Sequence, residues 1–228
     1  MSAQHSVVDR MQECIDRWDR AGDPRGVFLS CYALMTRNMF DALDAGEFAD
    51  GAWVSHLLHH FAGYYFDALD AYEAGEEGAP AVWRRAHDAA QRSTTPAISL
   101  LLLGVNAHIN YDLVLAVADL LEFEWPSLSD EERHARYEDF CRVNDTIGQT
   151  IDSVQDTVLE KREPFMALVD TLFGPIDEWL VSRGITEWRE EVWGHAVRRV
   201  ETPGDAQREV LRQEIEASAM RWARLFDL

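Results

Sequence analysis

The feature that most constrains this chain is the apolar run AISLLLLGVNAHINYDLVLAVADLLEFEW over 97–125, interrupted at its middle by Asn106, His108, Asn110 and Asp112. Its length would suit a membrane span. A carboxylate, an imidazole and two amides at mid-depth would be stranded in hydrocarbon, however. The expected arrangement is a central helix, apolar on nearly every side because other helices surround it.

The flanking sequence reads as helices that could do the surrounding. Val7, Val8, Met11, Ile15 and Trp18 recur at helical spacing, and Gly22-Asp23-Pro24 ends that stripe. Val27, Phe28, Cys31, Tyr32, Met35, Met39 and Phe40 make a second stripe. Val54, Leu57, Phe61, Tyr65, Ala68 and Tyr72 make a third, and a short helix spans about 82–91. After Pro126, Ser129 with Glu132 three residues on forms a capping box for a long helix. Phe140, Asn144, Ile147, Ile151, Val154 and Val158 give that helix a packing seam. Pro164 and Pro175 punctuate the next segment, Thr186 is placed to cap WREEVWGHAVRRV, and Pro203 suits the first turn of a last helix ending near Phe226. No alternating run rich in Val, Ile and Thr occurs, so strands are not expected. The repeat Phe-Asp-Ala-Leu-Asp-Ala at 40–45 and 66–71 reads as two helix C-termini built from the same residue types.

Composition narrows the partners. Hydrophobic residues at 47% and aromatics at 11% are enough for a packed core. Acidic residues outnumber basic ones 41 to 21, for a net charge of -20. Such a field repels phosphate backbones and anionic lipid, so neither nucleic acid nor a membrane is an expected partner. Cys14, Cys31 and Cys141 are too scattered for a disulfide framework or a zinc ribbon. No basic stretch followed by an apolar core opens the chain, so a cytoplasmic location is expected.

On an ideal helix His108 and Asp112 fall about 40° apart on one face, with Asn106 and Asn110 on the opposite side. Burying an imidazole and a carboxylate is expensive unless each is paired, hydrogen-bonded or bound to a metal. Three readings follow. The pair is a satisfied structural network; or half of a metal site, as in helix-bundle metalloproteins; or a metal-free acid–base couple in which Asp112 orients His108. A metal would need further ligands. His56, His59, His60 and Asp67 offer themselves from the third helix, and Asp139, Asp145 and Asp152 from the long one. An isolated acid in so acidic a chain is ordinarily a solvated side chain. Mixed nitrogen and oxygen donors would suit iron, manganese or zinc. The Glu-x-x-His pairs of ferritin-like sites do not occur.

Two further family patterns are approached, each with a departure. The row Asn144, Asp145, Gly148, Asp152, with Asp67 and Asp70, is similar to the magnesium motifs of class I terpene cyclases. Gly148 stands where a hydroxyl is usual, and Asp67 lacks an adjacent Asp. Haem-oxygenase-like metal oxygenases place a histidine three residues after such an aspartate, where this chain has Leu115.

The run LLLGVNAHINYDL, with FAGYYFDALDAY before it and DFCRVNDTIGQTIDSVQ after it, resembles a bacterial helical family catalogued as domain of unknown function 5995. The core motif falls on Gly104, Asn106, Ala107, His108, Ile109, Asn110, Asp112 and Leu113. A second element falls on Asp139, Asn144 and Asp145, and Trp188, Val192 and Trp193 fit the C-terminal part. The likeness covers roughly residues 50–200. It implies an all-helical fold with a shared polar centre, and it carries no activity.

The expectation is therefore a single all-α domain of about eight or nine helices packed around 97–121. Its function is read as an enzyme acting on a small, largely apolar molecule in a cavity beside His108 and Asp112. Those two are the catalytic candidates, and Asn106, Asn110, Tyr64, Tyr65, Tyr111, Asn144 and Trp193 line the pocket. If a divalent metal (Fe, Mn, Zn or Mg) takes part, His108, Asp112, Asp145 and Asp152 hold it. The alternative is a non-catalytic helical module for a ligand or partner, with the polar cluster serving only to fix helix register; a further alternative is a terpene-cyclase-like, magnesium-dependent lyase or cyclase.

Overall fold

The computed structural model describes residues 3–76, 78–143 and 178–227. Among them there is no strand. The helices are α1 (Ala3–Ala21), α2 (Gly26–Asp44), α3 (Gly51–Glu73), α4 (Ala81–Ala90), α5 (Ala97–Ser127), α6 (130–143, where the description breaks off), α7 (Glu178–Glu201) and α8 (Asp205–Phe226).

The apolar run forms α5, a continuous rod against which α2, α3, α4, α7 and α8 all pack. Its most apolar window is 78% buried inside the fold, so protein and not lipid covers it. Leu103, Ala107, Leu113, Val114, Ala116, Val117 and Leu121 are almost wholly buried. A helix with core residues on every side needs neighbours on every side, which is why this segment sits at the centre. Gly104 allows one neighbour to come especially close. A Cβ there would lie 2.4 Å from the Phe28 ring, so α2 packs directly on the rod backbone.

The Phe-Asp-Ala-Leu-Asp-Ala repeat lies near the ends of both α2 and α3, but its second copy stops at Ala71, short of the α3 end at Glu73, so the copies do not hold equivalent cap positions. Each helix is followed by a left-handed glycine, Gly46 at φ 74° and Gly75 at φ 71°. The closing bonds match too. Gly46 N–H donates to Leu43 O and Glu47 N–H to Ala42 O, as Gly75 N–H does to Tyr72 O and Glu76 N–H to Ala71 O. These are two copies of one C-terminal cap.

The capping box at Ser129 and Glu132 forms as expected, with both reciprocal bonds present. Two terminus expectations are corrected. Helix α7 already runs from Glu178, so Thr186 lies inside it and does not start it. Helix α8 begins at Asp205 after Gly204 at φ 83°, which leaves Pro203 outside the first turn. Asp139 is no solvated acid. It is buried and accepts from the backbone N–H groups of Ala49 and Asp50 at 2.8 and 2.7 Å, tying α6 to the start of α3.

Candidate functional site

The polar interruption produces a change of helix type. From His108 to Leu113 the rod is a π-helix, with an α-helical stretch on either side. Bonding to the fifth residue back widens the turn, a departure that recurs at functional sites. Two side-chain bonds span the widened turn on different faces. His108 Nδ1 lies 3.0 Å from Asp112 Oδ2, and Asn110 Nδ2 donates to Asn106 Oδ1 at 3.0 Å. Each pair also reaches a neighbouring helix. Trp83 Nε1 of α4 donates to Asp112 Oδ2 at 2.9 Å, and Asn106 Nδ2 donates to the Ala219 carbonyl of α8 at 3.0 Å. The four residues expected from the motif therefore act as two separate clamps.

Around His108 the walls are aromatic. Phe61 stacks on the imidazole with ring centres 3.6 Å apart and planes 9° from parallel. Tyr32 meets it edge-on at 4.2 Å, and Phe28, Tyr65 and Trp83 stand at about 6 Å. Only 3% of His108 and 1% of Asp112 reach solvent. Burial drives the His108 pKa well below its ordinary value and the Asp112 pKa well above its own, the Trp83 hydrogen bond opposing the latter. Both directions favour a neutral pair. Asp112 Oδ2 receives the Trp83 N–H, so the consistent assignment places the imidazole proton on Nδ1, donated to the same oxygen. His108 Nε2 and Asp112 Oδ1 then have no hydrogen-bond partner.

The other expected residues are dispersed. Tyr65 stands in the box. Tyr64 turns its hydroxyl to Asp119 at 2.6 Å, and Asp119 also takes His60 Nε2 at 3.0 Å. Burial first, then that carboxylate, raises the Tyr64 pKa. Tyr111 is buried and accepts from Arg212 Nη1 at 2.6 Å. Trp193 belongs to a cluster with Trp125, Tyr137 and Phe140. His56 and Asp67 are exposed, and His59 Nδ1 lies 2.7 Å from the Ser55 carbonyl. Asn144, Asp145 and Asp152 lie outside the described residues. Among the described ones, no three His, Cys, Asp or Glu side chains are grouped to hold a metal.

Two residues that matter were not named from the sequence, Trp83 of the box and His87, and Phe61 and Tyr32 were read only as packing residues. One turn after Trp83, His87 is 4% exposed, stacks on the Trp83 ring at 5.4 Å, and has an unpartnered Nε2. Burial first, then the charge of Arg25, pushes its pKa down to about 3. It borders a small recess of about 20 Å³ whose walls also include Phe28, Tyr65, Trp83 and Gly104. His108 and Asp112 are not among those walls. The sequence signal was present: Trp83 and His87 are four apart on a short helix whose Val82, Ala86, Ala89 and Ala90 are all apolar.

No curated protein and no solved structure matches the chain. One family model does, and over nearly the whole length, well beyond the central motif: across residues 4–227 this chain belongs to the family of unknown function DUF5995.

Proposed function

We propose that this chain is a helical module that binds a small, largely apolar molecule, and that its His108–Asp112 pair fixes the packing of the central rod instead of meeting the ligand. One observation carries the reading. Each polar pair in the π-turn is bonded within the rod and again to a different helix, α4 through Trp83 and α8 through the Ala219 carbonyl. Such bonds select one register among the apolar packings a greasy helix would otherwise accept. The close stacking of Phe61 and Tyr32 supports this, because it occupies the space a substrate would need at the imidazole.

The test is native mass spectrometry of untagged protein, wild type beside the double variant His108→Leu/Asp112→Leu. A small-molecule adduct present in both supports the reading. An adduct lost from a double variant that keeps the wild-type circular dichroism and melting point overturns it.

A second reading has its own support. The π-turn and the unpartnered Nε2 and Oδ1 are features that buried catalytic pairs share. In that reading His108 Nε2 takes a proton from a small apolar substrate, or holds a divalent metal together with Asp112. Elemental analysis of tag-free protein tests the metal form. Metal in the wild type that is absent from His108→Ala supports it, and an equal content in both opposes it.

A further inference from the structure

The outer face of α3 carries a pair of histidines that the central box does not use. His56 and His60 stand one turn apart on an unbroken α-helix and both are exposed, whereas Leu57, Leu58 and Phe61 turn inward. His59 belongs to neither set, with its Nδ1 2.7 Å from the Ser55 carbonyl. Imidazoles four residues apart on one helix face can hold a single ion between them, the spacing that His-Glu-x-x-His zinc helices use. The face is open beyond the pair. A Cβ at Gly63, three residues after His60, would meet no atom within 4 Å.

His60 is also held from behind. Its Nε2 lies 3.0 Å from Asp119 Oδ2 of the rod, and the Tyr64 ring meets the imidazole edge-on at 5.3 Å. The carboxylate is already engaged: Oδ2 also accepts from the Tyr64 hydroxyl at 2.6 Å, and Oδ1 lies 3.9 Å from Arg199 Nη2. Asp119 therefore serves as the acceptor that puts the His60 proton on Nε2 and leaves the Nδ1 lone pair free. A carboxylate behind a histidine is the usual backing of a metal ligand, because it fixes the tautomer and makes the ring a better donor. The net charge of -20 draws cations to the surface as well.

We propose that His56 and His60 bind one divalent transition metal, of the zinc or copper kind, on the surface of α3, with His60 coordinating through Nδ1 and Asp119 holding its ring. Imidazole donors suit these ions. Two are fewer than a closed structural site uses, so water completes the shell. Leu57 stands where the zinc-peptidase helix has its glutamate, so the site lacks that general base and is one for binding, not hydrolysis. The site goes beyond both readings above, since neither His56 nor His60 stands in the His108 box.

The experiment is calorimetric titration of untagged protein with zinc at neutral pH. Wild type is compared with His56→Ala, His60→Ala, Asp119→Asn and, as a control, His134→Ala, whose histidine is exposed on α6. One zinc ion per chain is expected in wild type and in His134→Ala. Each α3 histidine variant weakens it at least tenfold, and Asp119→Asn weakens it about tenfold. Pulsed EPR of the copper complex should show two imidazole nitrogens in wild type and in Asp119→Asn, and one in either α3 variant. His56 and His60 are exposed, so their loss leaves the core intact, which circular dichroism checks. No zinc binding by wild type at millimolar concentration overturns the proposal, as does an affinity unchanged in both α3 variants. Loss in His60→Ala alone overturns the pair. Asp119→Asn that binds as wild type does overturns the part given to Asp119. Zinc lost from His108→Leu/Asp112→Leu and kept by both α3 variants overturns the site in favour of the metal form of the second reading.

Discussion

Two buried histidines stand about 5 to 6 Å from one tryptophan ring, and they differ in their surroundings. His108 has a carboxyl one turn along its own helix, a donor from α4 that shares that carboxyl, and an aromatic ring stacked against its face. His87 has the stacked ring of Trp83 and borders a small recess. Both imidazoles keep a buried Nε2 without a partner. The first is walled in by aromatic rings and tied to two helices, and the second has neither a carboxyl partner nor a closed box around it.

The largest expected effect tests the sealed side. Asp112→Leu strands the His108 and Trp83 donors in an apolar box, and should lower stability by about 3–5 kcal/mol, read by urea denaturation. Adding His108→Leu removes one stranded group and should return more than half of that loss. A double variant no more stable than Asp112→Leu alone would dissolve the distinction, because the histidine would then be gaining something other than its partner.

Acid sharpens the contrast next. In the unfolded chain His87 takes up a proton below about pH 6.5, whereas in the fold it stays neutral down to about 3. The unfolded state therefore binds one more proton in that window, and stability falls as the pH falls through it. His108 acts with the same sign. Asp112 acts with the opposite one, since its raised folded pKa holds a proton that the unfolded chain releases above about pH 4. Those two are common to wild type and His87→Leu and cancel in the difference. The wild type should lose about 1.4 kcal/mol per pH unit relative to His87→Leu between pH 6 and 4. Parallel stability curves for the two proteins would mean that His87 is protonated in the fold and not neutral.

The fold was largely legible and the site only half so, for reasons that differ by residue. The rod was readable because a core helix must be apolar on all sides, and the capping box at Ser129 because it is complete within four residues. His108 with Asp112 and Asn106 with Asn110 were legible as pairs for the same local reason. The π-turn was not, since a six-residue widening leaves no period of its own in the sequence. Phe61 and Trp83 reach the box from other helices, and helical spacing reports which face is buried without naming what it meets. That is also why Tyr64, Tyr111 and Trp193, all read as pocket residues, stand against Asp119, Arg212 and the Trp125 cluster. Asp139 looked like one acid among many because its partners are two N–H groups at the start of a distant helix.

Gly104 links the two regions. Phe28 packs on it, faces His108 at 5.7 Å and lines the recess. Gly104→Ala would press a methyl into that ring at 2.4 Å, so Phe28 must move. Against about 1 kcal/mol gained from helix propensity, overpacking should cost about 1–3 kcal/mol, for a net loss of up to about 2 kcal/mol. The direction in which Phe28 yields is informative. Movement toward the recess should shift the His87 ring resonances while those of His108 hold, and movement into the box should do the reverse.

The smallest effect concerns the second clamp. Asn110 is half-buried and donates to Asn106 Oδ1, while Asn106 itself is fully buried and holds the Ala219 carbonyl. Asn110→Ala removes a donor whose absence leaves one acceptor lacking a bond, a loss of about 1 kcal/mol. Asn106→Ala leaves a buried carbonyl of α8 unpartnered as well, and should cost more. The order of these two variants decides what the amides are for. If Asn106 fixes α8 against the rod, its replacement should raise amide exchange in α8 around Ala219 and leave α4 unaffected. Asp112→Leu should loosen α4 in turn. Equal exchange in both helices for every variant would mean that the π-turn is one cooperative unit, and that the two sides of the rod are not held independently.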